Sequence, residues 1–192
     1  MTVSHWQQVE QTQRDVDVLI VGAGLAGSAA AYFAKQVHGR EVIVTEKRDV
    51  GLGASSRNAG FMISGLDTYY HRAIERYGQD VAREMWQLSH QTISHWREFI
   101  KNSPFEVPLD NCGSMLLAET AEEAKDLELA AKALSDAKIE IEYHSKDPLD
   151  RGYYAGIEQP IDAGVQPYLL VKSIMAQSGA ELIANNELYR IE

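Results

Sequence analysis

The chain has 192 residues, 45% of them hydrophobic and 24% charged, and its formal net charge is −10 at pH 7. This composition predicts a globular protein with one good core or two small ones. The acidic balance, with no basic stripe to offset it, argues against nucleic acid as a partner, and no apolar run approaches the ~20 residues of a membrane span.

The N-terminal segment and the cysteine content predict a cytoplasmic protein. The arm, residues 1–14, is polar and has neither an apolar signal core nor a basic leader, so it predicts no export signal. A single cysteine, Cys112, excludes an internal disulfide, which suits a reducing compartment. We expect Cys112 to be a small, half-buried strand residue rather than a reactive thiol.

The first predicted element is a short apolar strand that runs directly into a glycine-rich turn. Segment 15–27 reads Asp-Val-Asp-Val-Leu-Ile-Val-Gly-Ala-Gly-Leu-Ala-Gly, and a helical pattern follows it. Gly22 allows the sharp turn, and Gly24 lets the backbone approach a pyrophosphate. Gly27 lets the helix pack close to the strand.

A second apolar run and an acidic residue complete the pattern of a dinucleotide-binding βαβ unit. The run covers residues 41–45, and Glu46 follows it. A carboxylate at this position accepts hydrogen bonds from a ribose and repels a 2′-phosphate, which disfavours NADP and leaves NAD and FAD open. The phosphates would lie at the helix N-terminus, where Leu25 and Ala26 stand.

The helix between these strands is predicted from small residues at helical spacing. Its face against the sheet would be formed by Ala26, Ala29, Ala30 and Ala34. Gly39 marks its C-terminal end.

The segment after Glu46 is long and rich in small residues. Residues 47–62 read Lys-Arg-Asp-Val-Gly-Leu-Gly-Ala-Ser-Ser-Arg-Asn-Ala-Gly-Phe-Met, where an NAD dehydrogenase would soon begin its next helix. A strand ending in Glu-Lys, followed by Gly-Ala-Ser-x-Arg-Asn-x-Gly, resembles the FAD-dependent oxidoreductases of the D-amino acid oxidase superfamily. The nearest branch comprises the γ-glutamylputrescine oxidase and glycine/sarcosine oxidase-like amine oxidases. The resemblance continues in the prelude His5-Trp6, in segment 113–118 and in segment 162–167.

The resemblance implies an α/β fold, with a Rossmann-like FAD-binding βαβ unit and an inserted α+β substrate domain. In the family the loop wraps the pyrophosphate of FAD and reaches the flavin ring. Beyond the glycine turn and Glu46, the implied FAD contacts are Lys47, Ser55, Ser56, Arg57, Asn58, Ala59, Gly60, Phe61 and Leu188.

Arg57 is the candidate for electrostatic tuning, because a fixed cation would favour the anionic reduced ring. Pairing of Arg57 with a carboxylate or with an FAD phosphate is the alternative. FAD is expected to be bound non-covalently. In the dimethylglycine dehydrogenase-like branch a histidine of this loop can carry the flavin, whereas Arg57 and Asn58 cannot form that bond.

The resemblance implies oxidation of the C–N bond of an amine or small amino acid. Hydride would pass from the substrate carbon to flavin N5, and the resulting imine would hydrolyse. Two other functions remain open. One is an FAD-dependent hydroxy-acid or glycerol-phosphate-type dehydrogenase, which shares the βαβ unit, and the other is a non-catalytic FAD-binding subunit or fragment. None of these needs a metal ligand.

A long amphipathic helix is predicted over residues 80–102. Its apolar members, spaced near 3.6 residues, are Val81, Met85, Leu88, Ile93, Trp96, Phe99 and Ile100. His90 and His95 lie five residues apart, which is not the spacing of a zinc pair, so we expect solvated or packed histidines and no metal site. Trp86, Trp96 and Phe99 are expected to be core residues.

Two prolines within residues 103–108 mark the entry to a second domain. This insert is predicted to contain strand 113–118, helix 121–136 and strand 139–143. Thr120 and Glu123 supply a capping box for the helix. Glu140 and Glu142 alternate with apolar neighbours, as on an exposed strand face.

The α/β pattern then returns with helix 168–178, ended by Gly179, and strand 181–184. After a right-handed crossover this strand would join the sheet beside the second strand, in the order three, two, one. A further strand is predicted to begin over residues 188–191.

The predicted domains are an arm at 1–14, an FAD-binding domain in two parts at 15–103 and 165–192, and the insert at 104–164. No returning strand with a second flavin-contacting glycine motif is found. We therefore expect that the rest of a longer chain, or a second subunit, completes the fold.

Overall fold

The computed structural model describes residues 13–190. Its first sheet is parallel and contains β1 (Val18–Val21), β2 (Val42–Thr45) and β9 (Glu181–Ile183) in the order β1-β2-β9. Helix α1 (Leu25–Tyr32) leads from β1 to β2 and continues as a π-helical turn over Phe33–Val37. The predicted order three, two, one is confirmed.

The first core packs this sheet against α1 and α5 (Pro167–Ser178). The buried members of this core are Ala23, Ala31, Val42, Val44, Val50, Val171 and Met175. Helix α5 begins with Pro167 in its first turn and ends at Gly179, whose φ is +62°, as predicted. The predicted face of α1 is wrong at two positions. Ala26 and Ala30 are exposed, whereas Ser28 and Ala31 face the sheet.

The second sheet is antiparallel and contains three very short strands. Its order is β3-β8-β4, with β3 at Phe61–Met62, β4 at Leu109–Asp110 and β8 at Ala163–Val165. Strands of two or three residues carry no period in the sequence, so these were not predicted.

The third sheet is also antiparallel, in the order β5-β7-β6. Its strands are β5 (Ser114–Ala118), β6 (Glu142–His144) and β7 (Ala155–Gln159), and α4 (Ala121–Asp136) covers one face. The predicted strand 139–143 begins three residues later than expected and ends one residue later, because Ile139 is buried as the chain leaves α4. The alternation of exposed Glu140 and Glu142 is confirmed.

The capping box of α4 is confirmed with one change of partner. The Thr120 hydroxyl accepts the N–H of Glu123, at 3.1 Å. The Glu123 carboxylate accepts the N–H of Glu119, at 2.8 Å, rather than that of Thr120.

Two further helices lie between the first sheet and the third. They are α2 (Tyr70–Tyr77) and α3 (Gln79–Lys101), and α3 corresponds to the long helix predicted over 80–102. Trp86 and Tyr70 pack edge to face, with ring centroids 4.8 Å apart, in a cluster that also contains Leu134 of α4. Of the predicted apolar face, Val81 and Leu88 are exposed.

Two further predictions are wrong. Cys112 is exposed and lies in the loop before β5, not in a strand. Residues 188–190 form no strand, and Ile191 lies outside the described residues, as do residues 1–12 with His5-Trp6. Within residues 13–190, no helix is both long and apolar enough to cross a membrane.

Candidate functional site

The glycine turn after β1 has the geometry that its sequence predicts. Gly22 has φ of +98°, which an L-residue rarely adopts, and its N–H donates to the Thr45 carbonyl at 2.8 Å. A Cβ on Gly27 would stand 1.9 Å from the Gly22 carbonyl oxygen. Only a glycine at position 27 therefore permits the helix to start this close to the strand.

Gly24 differs from Gly27, because no backbone contact of the protein requires a glycine at position 24. Its φ of −83° and ψ of −170° suit any residue. A Cβ here would meet only the Ser55 hydroxyl, at 2.9 Å. The space in front of Gly24 is thus bordered by a movable side chain and not by backbone.

The N–H group at the start of α1 donates a hydrogen bond to the loop that follows β2. Leu25 donates its N–H to Ser55 Oγ at 2.9 Å, and both residues are accessible to solvent. The N–H groups at a helix N-terminus and the helix dipole favour an anion. A phosphate oxygen could take the place of Ser55 Oγ without disturbing any buried group.

Glu46 connects the end of β2 to the glycine turn. Its Oε2 accepts the Ala23 N–H and its Oε1 accepts the Arg48 N–H, both at 2.9 Å. Partial burial raises the pKa of Glu46, but these two hydrogen bonds and the charges of Arg48 and Lys47 outweigh it and leave the pKa below its ordinary value. The carboxylate is therefore ionised at neutral pH, and each oxygen keeps a lone pair for a ribose hydroxyl.

The predicted loop is shaped by hydrogen bonds to its own backbone. Asn58 Nδ2 donates to the Ser55 carbonyl and Asn58 Oδ1 accepts the Gly60 N–H, both at 2.9 Å. Arg57 Nη2 donates to the Leu52 carbonyl at 3.3 Å, and Arg48 donates to the same oxygen at 2.8 Å. Among the described ion pairs, Arg57 has no carboxylate partner.

Gly60 joins the loop to the second sheet. Its φ is +75°, and a Cβ would stand 2.0 Å from the Val165 carbonyl oxygen. The Val165 N–H donates to the Gly60 carbonyl at 2.8 Å. The loop thus passes directly into β3, and β8 holds it in place.

A cleft of about 600 Å³ runs from the N-terminus of α1 along this loop to the face of α3. Its walls are mainly apolar, and several of its side chains are large, hydrophobic and exposed, with Phe61 73% and Leu88 64% accessible. Leu25, Ile63 and Leu66 share this property. A contiguous exposed apolar lining of this kind marks a ligand groove.

The structure brings part of the predicted set together at this cleft. The predicted residues that line it are Leu25, Ser55, Asn58, Gly60 and Phe61. Gly22, Gly24, Gly27 and Glu46 lie at its glycine-turn end through the contacts given above. Ser56 turns its hydroxyl toward the Gly53 carbonyl, at 3.4 Å. Gly22, Gly24, Gly27, Glu46 and Ser56 are not part of the lining itself, and neither are five exposed residues of the predicted set, Ala26, Lys47, Arg57, Ala59 and Leu188.

The opposite wall of the cleft was not predicted from the sequence. Met85, Leu88, Ser89 and Thr92 contribute it from α3. A signal was present, because Leu88 belongs to the apolar stripe of α3. That stripe predicts burial in a core, however, and a ligand groove gives the same pattern.

The fold is that of a dinucleotide-binding protein: a parallel βαβ unit with a glycine turn, an acid at the end of β2 and an apolar cleft beside the helix N-terminus. The family model described as FAD dependent oxidoreductase matches residues 17–192. The chain belongs to this family, whose members depend on FAD. The predictions of family, α/β FAD-binding fold and cofactor are confirmed.

Curated relatives match over parts of the chain. The probable oxidoreductase OrdL of Haemophilus influenzae is 41% identical over 78 residues, which are 40% of this chain and 18% of that protein. The gamma-glutamylputrescine oxidoreductase of Escherichia coli K12 is 32% identical over 85 residues, which are 44% of this chain and 20% of that protein.

Solved structures share the fold at low sequence identity. Glycine oxidase from Geobacillus kaustophilus has a TM-score of 0.73 at 22% identity, over 92% of this chain and 48% of that chain. The L-alpha-glycerophosphate oxidase of Mycoplasma pneumoniae with FAD bound has a TM-score of 0.68 at 20% identity, over 90% of this chain and 45% of that chain. The chain therefore spans about half the length of these neighbours.

Proposed function

We propose that this chain is the FAD-binding part of an enzyme that oxidises the C–N bond of an amine or small amino acid. The observation that carries the proposal is the apolar cleft that starts at the helix N-terminus and is continuous with the loop of residues 53–60. The names of the similar proteins support the substrate class, since one oxidises gamma-glutamylputrescine and another glycine.

The residues present fit FAD on two grounds. The backbone at Gly24 is open toward a ligand where a side chain would fill the approach, and the Leu25 N–H is held only by an exchangeable hydroxyl. In this proposal Gly22, Gly24, Leu25, Ala26 and Gly27 hold the pyrophosphate, and Glu46 accepts a ribose hydroxyl. Lys47, the segment Ser55–Phe61 and Leu188 complete the predicted set of FAD contacts.

The protein positions the reactants, and the flavin, when bound, accepts the electrons of the oxidised bond. Phe61, Ile63, Leu66 and Leu88 would exclude water from the cleft, because their exposed side chains are all apolar. Ser89 and Thr92 also lie on the α3 wall, where their hydroxyls donate to the carbonyls of Trp86 and Leu88, both at 2.7 Å. Arg57 is the proposed source of positive charge beside the cofactor, since it has no described carboxylate to neutralise it.

The test of the substrate class is anaerobic reduction of the bound flavin. The flavin absorbance should bleach with a member of a panel of polyamines, their γ-glutamyl derivatives, sarcosine, glycine and D-amino acids. Bleaching by hydroxy acids or glycerol phosphate alone would favour the second class, to which the fold likeness to a glycerophosphate oxidase also points. No bleaching with any compound would favour a non-catalytic FAD-binding subunit.

FAD should be released without breaking a covalent bond. The loop of residues 53–60 contains no histidine or cysteine, and Cys112, in the loop before β5, does not line the cleft. Acid precipitation of the holoprotein should leave a yellow supernatant. Flavin fluorescence that remained on the polypeptide in a denaturing gel would contradict this expectation.

We also propose that another segment of the protein, or a second subunit, covers β1 and the π-helical turn that follows α1. Leu19, Val21, Phe33 and Val37 are each more than half exposed there, and β1 is paired on one side only in the described sheet. An apolar, unpaired edge is an aggregation hazard unless it is covered. Native mass spectrometry of the purified protein tests whether a second polypeptide is present. Limited proteolysis tests the separate proposal that the domain boundaries lie near residues 103 and 164.

A further inference from the structure

Three potential metal ligands meet at the outer edge of the third sheet, away from the cleft. They are Glu142 and His144 of β6 and Glu158 of β7. The register places Glu142 directly opposite Glu158, and His144 lies two residues further along β6 on the same face. The three ligand atoms lie within 4.8 Å of one another.

The imidazole nitrogen that faces the two carboxylates has no hydrogen-bond partner. His144 Nε2 is shielded from solvent and makes no hydrogen bond. It stands 3.7 Å from Glu158 Oε2 and 3.9 Å from Glu142 Oε1, which is too far for a hydrogen bond and close to the spacing of ligands around one ion. Ligand atoms about 2.1 Å from a tetrahedral zinc stand about 3.4 Å apart. The side chains would therefore have to close from separations of up to 4.8 Å.

The carboxylates also lack any other compensating charge. Like charges directly opposite each other in an antiparallel pair are destabilising. Within residues 13–190, the ion-pair partner of both Glu142 and Glu158 is His144, and no lysine or arginine pairs with either. Met115 of β5 stands opposite Glu158 on its other side, and Leu117 and Pro148 lie beside Gly156, so these neighbours bring no cation.

We infer that Glu142, His144 and Glu158 form a binding site for a divalent transition metal of the zinc class. A neutral imidazole with carboxylates suits Zn²⁺, Cu²⁺ or Ni²⁺, whereas Mg²⁺ and Ca²⁺ prefer oxygen ligands alone. Three protein ligands leave room for water on the exposed side. The ion would join the edge strand β6 to β7, and this role is independent of the proposed flavin chemistry.

The site was not predicted, and the sequence-based expectation was that there is no metal site. Glu142 and His144 are two residues apart, but Glu158 lies on a different strand. No local sequence motif predicts the strand register that places Glu158 opposite Glu142.

The test is isothermal titration of the 192-residue chain with ZnCl₂ at neutral pH, beside MgCl₂. We expect one equivalent of Zn²⁺ to bind and Mg²⁺ not to compete. The variant His144→Ala should weaken Zn²⁺ binding at least about tenfold, a loss that removal of even outer-shell partners can produce. His95→Ala, which removes an exposed histidine of α3, is the matched control and should bind like the wild type.

A second variant and a Co²⁺ spectrum test the same site independently. If His144→Ala does not fold by circular dichroism, Glu158→Gln replaces it and should show the same loss. Co²⁺ in place of Zn²⁺ should give visible absorption bands that are absent in the His144 or Glu158 variant. Equal Zn²⁺ affinity of the wild type and a folded variant, or displacement of Zn²⁺ by equimolar Mg²⁺, would overturn the inference.

Discussion

Replacing Gly24 by valine is expected to abolish tight FAD binding while leaving the fold intact. Gly24 has an ordinary backbone conformation, and a Cβ would meet only the Ser55 hydroxyl at 2.9 Å. The valine side chain would instead occupy the approach of the pyrophosphate to the helix N-terminus. Loss of one or two charge-assisted hydrogen bonds, each worth about 1.5 to 3 kcal/mol, corresponds to an affinity at least about tenfold to a hundredfold weaker.

The measurement is flavin retention on gel filtration, together with urea unfolding of the apoprotein. Ala54→Val is the control, because Ala54 is exposed in the same loop and does not line the cleft. The variant Gly27→Ala is expected to have the opposite effect, which is to destabilise the fold itself. Its Cβ would stand 1.9 Å from the Gly22 carbonyl oxygen, so it should lower the free energy of unfolding by about 1 to 3 kcal/mol or more. Normal FAD retention by a folded Gly24→Val protein would refute the placement of the pyrophosphate.

Removal of the Asp162 carboxylate is expected to destabilise the protein more than any surface substitution. Asp162 is 0% exposed. Its Oδ1 accepts the Ser64 N–H at 2.8 Å, and its Oδ2 accepts the Ser114 hydroxyl at 2.6 Å and Gln159 Nε2 at 3.3 Å. The carboxylate thus joins the cleft-lining segment of residues 60–66 to the start of β5.

Asp162→Ala leaves these three donors without their acceptor. The Ser64 N–H is buried and the other two donors are partly buried. A buried donor without a partner costs about 1 to 3 kcal/mol, so the free energy of unfolding should fall by about 2 kcal/mol or more. Asp162→Asn should lose less, because its remaining oxygen can still accept the Ser64 N–H. Urea unfolding measures both, with the exposed Asp136→Ala as control. A change within about 0.5 kcal/mol for Asp162→Ala would contradict this role.

The interactions of Asp162 also link stability to the cleft. Ser64 follows Ile63, which lines the cleft, and Gly65 donates its N–H to Ser89 Oγ of α3 at 2.9 Å. A Cβ on Gly65 would stand 2.6 Å from the Trp86 ring. The wall of the cleft is therefore set by contacts between segments far apart in sequence.

Elements defined by local chemistry could be predicted from the sequence. The glycine turn, the cap at Thr120 and the end of α5 at Gly179 each depend on residues within a few positions of one another. The strand order β1-β2-β9 agrees with the order expected for a doubly wound fold with right-handed crossovers. The glycine turn and Glu46 predicted a dinucleotide, and the resemblance of the loop of residues 53–60 to a flavoenzyme family predicted that it is FAD.

What the tertiary structure alone decided lies in the pairings between distant segments. Strand β7 contains Ala155 and Gly156, which have weak strand preference, yet it is the central strand of its sheet because β5 and β6 pair with it. Leu88 belongs to an apolar helical stripe that predicts a core, whereas the fold leaves it facing a cleft. The Glu142–His144–Glu158 cluster depends on strand register. Local hydrogen bonds and backbone sterics are encoded within a few residues, but pairing, register and the direction a side chain faces depend on which segments meet in space.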